Sequence, residues 1–231
     1  MSIANNFTAI LERIHKAEAK AKREIGSTTL VAVSKGQSLS KLQAALGVGQ
    51  RLFGENYVQE LLEKHAALPE AKFHFIGNLQ SNKVRKIVGK VELIHSIDSI
   101  DLAAEVSRRA DQNGIIQDIL LEVNIGDENT KSGVALRGAH EMISGINALK
   151  AIRLRGLMAL PPFSEDESIA RGYLRKTFEL YQKVRDELSM ESKIEFSWLS
   201  MGTSHDFEWA IEEGATHVRV GTAIFGEREK K

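Results

Sequence analysis

The stretch TTLVAVSKGQSLSKLQAALGVGQRLFGE, residues 28–55, decides the fold. It opens on a short apolar run, Leu30–Val33, which is strand-sized. It passes through Leu39–Leu46, where Leu39, Leu42 and Leu46 recur at helical spacing. It returns to a second short run at Arg51–Gly54. Strand, helix and strand in so few residues make a βαβ unit with parallel strands. Working outward, the unit repeats. Strand-like runs are Thr29–Ser34, Arg51–Gly54, Phe73–Gly77, Leu93–Ile97, Asp118–Asn124, Leu154–Leu160, Phe196–Met201 and His217–Val220. Helix-like segments lie between them at Leu39–Leu46, Tyr57–Leu68, Lys83–Gly89, Ile100–Asn113, Arg137–Leu149, Ala170–Leu188 and Phe207–Glu213. Strands buried on both faces read as continuous apolar runs, as several of these do. Eight strands in 231 residues give about 29 residues per unit, the scale of a βαβ repeat. The chain therefore reads as a single α/β domain over 1–231, a (β/α)₈ TIM barrel, with an open doubly wound sheet as the other parallel arrangement.

An extra N-terminal helix is expected over residues 1–24. Ile3, Phe7, Ile10, Leu11, Ile14, Ala17 and Ala21 follow 3–4 spacing. Glu12, Arg13, Lys16, Lys20 and Arg23 occupy the other side, read as a solvated face, and Gly26 stops the helix. Residues 227–231 read as a tail, and Pro161-Pro162 as a loop.

Lys+Arg and Asp+Glu both number 31, so the net charge is zero, which argues against a general nucleic-acid binder. With no Cys there is no disulfide, thiolate metal site or Cys nucleophile. The apolar runs are too short to span a membrane, and the first twenty residues lack a signal-peptide core. A cytoplasmic protein is expected. No heptad seam calls for a dimer, so a monomer is expected.

Two look-alikes fail. GVGQRL at 47–52 lacks the third Gly of a dinucleotide fingerprint and precedes a strand. GDENTKSG at 126–133 has Thr130 where a P-loop needs Gly. No HxH or HExxH occurs among the seven His residues, so no metal site is expected. His15, His65 and His140 read as surface or packing residues, and His74 as a core strand residue.

Function in a parallel barrel sits at the C-terminal strand ends. Strand one ends in Lys35, straight after an apolar run. An amine so placed can be desolvated and act as a Schiff-base nucleophile, although an exposed strand-end lysine gives the same sequence. The last two strands end in Ser200-Met201-Gly202-Thr203-Ser204 and Arg219-Val220-Gly221-Thr222. Small residues there admit a phosphate to backbone amides and hydroxyls, and Ser204 or Asp206 can cap the next helix. Asn56, at the second strand end, offers an amide to a ligand ring. Together these suggest a phosphorylated carbonyl ligand.

VAVSK (31–35), FGENYVQE (53–60), HFIGNLQSNK (74–83), GDENTKSG (126–133), RGLMAL (155–160), LSMGTSHDFEWAI (199–211) and VRVGTAIFG (218–226) resemble, in order, the YggS/PROSC family of pyridoxal phosphate homeostasis proteins. The resemblance implies a barrel similar to the alanine racemase N-terminal domain and pyridoxal 5′-phosphate as cofactor. It implies Lys35 as the Schiff-base lysine, Ser200, Gly202, Ser204, Gly221 and Thr222 as the phosphate loops, Arg219 facing the pyridine nitrogen and Asn56 beside the ring. The sequence departs from the family's pattern at Thr203 and at Gly36-Gln37. A cation beside the ring nitrogen opposes its protonation and weakens the ring as an electron sink. Tyr57, Tyr173 and Tyr181 fall on helix-like segments, so a racemase's second acid/base is not evident. The expected function is cofactor homeostasis and carriage with little or no catalysis and no catalytic residue. Contacts with cofactor-dependent apo-enzymes would be transient, with Lys131 a candidate aid to release. The alternatives are a single-domain racemase-like enzyme, a Schiff-base aldolase and an interaction module.

Overall fold

The computed structural model describes residues 2–126, 132–135, 138–188 and 195–227. Eight parallel strands form a closed ring: β1 (Thr29–Val33), β2 (Leu52–Glu55), β3 (Lys72–Phe75), β4 (Leu93–Ile97), β5 (Gln117–Asn124), β7 (Ile152–Ala159), β8 (Trp198–Thr203) and β9 (His217–Val220). The ring closes through the β1–β9 pairing, with Thr29 opposite His217 and Val31 opposite Arg219. These are the eight expected strands, so the barrel replaces the open-sheet alternative. A ninth strand, β6 (Val134–Ala135), pairs with β5 outside the ring and was not expected. Lys131, the start of the Arg137 segment and residues 228–231 lie outside the described residues.

Helices wrap the ring: α1 (Ile3–Lys20), α2 (Leu39–Gly47), α3 (Val58–Ala67), α4 (Val84–Ile87), α5 (Ile100–Gln112), α6 (Ala139–Asn147), α7 (Glu167–Glu187), α8 (Phe207–Glu212) and α9 (Thr222–Phe225). The main apolar core lies between strands and helices, where Phe53, Phe73, Ile119 and Leu199 are buried. Inside the ring, Leu93, Leu120 and Met158 pack with Trp198 into a small apolar plug. Gly156 lets β7 and β8 approach: its φ is +150°, and a Cβ there would overlap the Trp198 carbonyl oxygen.

Helix α1 buries Phe7, Ile10, Ile14 and Ala17 against α2, α8 and α9. It ends at Lys20, short of residue 24. The buried Glu18 carboxylate takes over the chain there, accepting from the Gly26 N–H at 2.8 Å and the Thr28 N–H at 2.6 Å. The polar side is not simply solvated. Arg13 pairs with Glu208 at 2.6 Å, Lys20 pairs with Glu212 at 2.9 Å, and Arg23 donates to the Ala215 carbonyl at 2.6 Å. Among the described residues no helix is long and apolar enough to cross a membrane.

Candidate functional site

The C-terminal ends of the strands open into a cavity of about 610 Å³, within the range of small-molecule sites. Lys35, Asn56, Ser204, Arg219, Gly221 and Thr222 all line it. Residues from the first and last strands thus meet, because β1 and β9 are neighbours at the closure. Ser200 and Gly202 are absent from the wall. Ser200 is fully buried below Arg219. Gly202 has φ +90°, and a Cβ there would come within 2.5 Å of the Ala210 Cβ. Ser200 bonds Arg219 from below, and Gly202 packs β8 closely against Ala210 of α8.

Lys35 stands at the corner of a tight turn. The Gln37 N–H donates to the Ser34 carbonyl at 3.0 Å, and Gly36 has φ +67°. That is the glycine-third pattern of a type II turn. Gly36 suits that turn, because a side chain is disfavoured at that φ. Asn56 is held by the close approach of β3's end, since a Cβ on Gly77 would overlap the Asn56 carbonyl oxygen. The Asn56 Oδ1 is buried with no hydrogen-bond partner among the described residues. An orphaned buried amide is costly and fits a ligand that supplies the missing partner. On the opposite rim the Ser204 hydroxyl accepts from the Gly221 N–H at 3.1 Å, tying the last two strand ends together.

Arg219 carries the electrostatics. It donates to the Ser200 hydroxyl at 2.6 Å and to the Ala159 carbonyl at 2.9 Å. Burial pushes its pKa down to about 10, while Asp206 and Glu122 act the other way. Two of its five N–H donors are used in these bonds, and its guanidinium lines the cavity. Behind it a polar column runs beside the apolar plug inside the ring. Ser200 Oγ lies 3.0 Å from His95 Nδ1, and His95 Nε2 lies 2.9 Å from His74 Nδ1. Burial, with neighbouring positive groups, pushes His74 down to about 3, His217 to about 4 and His95 well below its usual range. All three are therefore neutral near pH 7, and Arg219 is the column's standing charge.

Glu122 is a cavity residue that the sequence reading missed. Burial pushes its carboxyl up to about 7; Asp98 adds to the rise and Arg219 opposes it. The available signal was alternation: in Asp118-Ile119-Leu120-Leu121-Glu122, two acids break an apolar run at even spacing. Tyr57, Tyr173 and Tyr181 are absent from the cavity wall. Among the described residues no cluster of His, Asp and Glu is arranged to hold a metal.

A closed parallel barrel with this cavity defines the class of the alanine racemase N-terminal domain, and residues 6–229 match that family's profile. Alanine racemase from Clostridium difficile 630 shares the fold, with TM-score 0.75 at 14% identity over 98% of this chain and 58% of that one. Nearer relatives are full-length. A pyridoxal phosphate homeostasis protein from Aquifex aeolicus (strain VF5) is 44% identical over 99% of this chain and 100% of its own. PipY of Synechococcus elongatus PCC7942, solved with PLP bound, superposes with TM-score 0.80 at 32% identity, covering 92% of this chain and 100% of that one. The chain belongs to the family of pyridoxal phosphate homeostasis proteins.

Proposed function

We propose that this chain binds pyridoxal 5′-phosphate in the barrel-mouth cavity, holds it as a Lys35 Schiff base, and serves intracellular homeostasis and carriage of the cofactor with little or no catalysis. The observation that carries the reading is the meeting of Lys35, Arg219 and the small-residue rim Ser204, Gly221 and Thr222 in one cavity. When bound, the cofactor supplies an aldehyde that an amine captures reversibly. The Lys35 amine adds to the aldehyde carbon, and water leaves as the C=N bond forms. Ser204, Thr222 and the backbone at Gly221 receive the phosphate; Ser200 and Gly202 act from behind. Arg219 faces the ring nitrogen and, as a cation, holds it unprotonated, which keeps carbanion chemistry weak. Asn56 donates or accepts at the ring's edge. In this reading the protein works as a cytoplasmic monomer that meets cofactor-dependent apo-enzymes transiently.

One observation favours the second reading, a single-domain racemase-like enzyme. Glu122 lines the same cavity and titrates near neutrality, as an acid/base partner to Lys35 would. Absorbance, reduction and exchange separate these readings. Purified protein plus cofactor should show an imine band that borohydride abolishes, leaving the cofactor on the Lys35 peptide. Lys35→Ala should lose the band. No band with added cofactor refutes the binding reading. Exchange of amino-acid α-hydrogen in deuterated water would replace carriage by catalysis.

A further inference from the structure

Behind the turn that bears Lys35, on the outer side of the barrel, lies a buried charge network with no part in the cavity wall. Lys64 of α3 donates to the Ser34 carbonyl at 2.7 Å, to Glu55 Oε1 at 2.7 Å and to Glu60 Oε2 at 3.1 Å. The Ser34 hydroxyl donates to the same Glu55 oxygen at 2.6 Å. The Gly36 N–H donates to the Glu60 oxygen at 2.7 Å. The residues on both sides of Lys35 are therefore tied, through side chain, carbonyl and amide, to a single ammonium and its two carboxylates.

A buried ion pair is a costly way to hold a loop, because two charges must leave water. Its geometry suits a different task. A four-residue turn with a glycine at its third position has a soft hinge on either side of the corner residue. These ties fix both hinges, while the Lys35 side chain projects into the cavity on the other side. An amine must meet the aldehyde carbon at bonding distance and angle, and an anchor that wanders reduces the share of productive encounters.

We propose that Glu60 and Lys64 are positioning residues for Lys35, clamping its turn so that the amine is presented to the cofactor. The proposal rests on the reading of Lys35 given above. Removing Glu55 or Lys64 strands a buried charge and endangers the fold. Glu60, whose side chain is 22% exposed, is the usable handle.

The test is stopped-flow formation of the imine band with pyridoxal 5′-phosphate, with thermal melts alongside. Glu60→Ala removes the acceptor for the Gly36 N–H and should slow band formation by about tenfold, the weight of a charge-assisted hydrogen bond carried into the rate. Glu60→Gln keeps an acceptor oxygen and should recover most of the rate. Ser34→Ala, which cuts a tie on the other hinge, should slow it as well. Glu60→Ala forming the band at the wild-type rate overturns the proposal. So does equal slowing in Glu60→Ala and Glu60→Gln that follows their melting temperatures, which is general loosening. A wild-type protein with no band refutes the Lys35 reading itself, an outcome distinct from either.

Discussion

Replacing Glu122 by Gln should stabilise the ligand-free protein in a strongly pH-dependent way. The carboxyl ionises near its ordinary 4.5 in the unfolded chain and at about 7 in the folded one, because burial and Asp98 disfavour the charge more than Arg219 restores it. The unfolded state therefore loses this proton first. Stability falls as pH rises from 4.5 to about 7, and the loss is complete above that. At about 1.4 kcal/mol for each tenfold in the acid constant, the full cost is about 3.5 kcal/mol, and water in the cavity mouth lowers it towards about 2. The amide introduced by Glu122→Gln keeps the shape of the neutral carboxyl and has no proton to lose. Urea unfolding at steps from pH 4.5 to 8 should show the two proteins equal at the acid end. The variant should be more stable by about 2–3 kcal/mol at pH 8, at unchanged m-value. A difference that stays flat with pH, or a wild type that is the more stable at pH 8, refutes the account of Glu122 as a carboxyl whose charge burial disfavours.

The histidine column predicts the opposite slope in acid. His74 and His217 titrate at about 3 and about 4, below their unfolded value of 6.5, so stability is full above pH 6.5 and drains as pH falls towards 4. His217→Asn should flatten that acid limb, and an unchanged limb argues against it. Ser200→Ala leaves Arg219 short of an acceptor and should cost about 1–3 kcal/mol with weaker cofactor binding by equilibrium dialysis; unchanged affinity would show that Ser200 does not steer the arginine. Gly156→Ala forces a methyl into the Trp198 carbonyl and should cost about 3 kcal/mol or more; a melting temperature within a few degrees of wild type would contradict the packing.

The eight ring strands were legible because burial on both faces writes them as uninterrupted apolar runs. Lys35 stood out because a charge follows such a run directly; Arg219 drew its expected role from the family resemblance. Val134–Ala135 was not legible: two residues carry no period, and their pairing to β5 depends on tertiary placement. The early end of α1 was hidden too, since Glu18 looks like any surface glutamate until its carboxylate meets the Gly26 and Thr28 amides. In Leu199–Ser204 the sequence offered two serines and no way to rank them. The register shift between Ser200 and Thr203 turns one beneath Arg219 and the other to the rim. His95 and Glu122 gain meaning only once closure sets β4 and β5 facing β8 and β9. A polar residue inside a strand does not announce whether it will face a helix or the barrel axis.

The seam between β1 and β9 joins the first strand of the ring to the last. Lys35 and Arg219 stand 219 − 35 = 184 positions apart in the sequence, yet they share one cavity. The strand bearing Arg219 is also the last of the eight that a ribosome would release. A partly synthesised chain can carry the lysine, but without the final strand it lacks the arginine and the rim that complete the pocket. Occupancy of the site would then act as a certificate of a finished ring, since the pocket is incomplete until the barrel has shut.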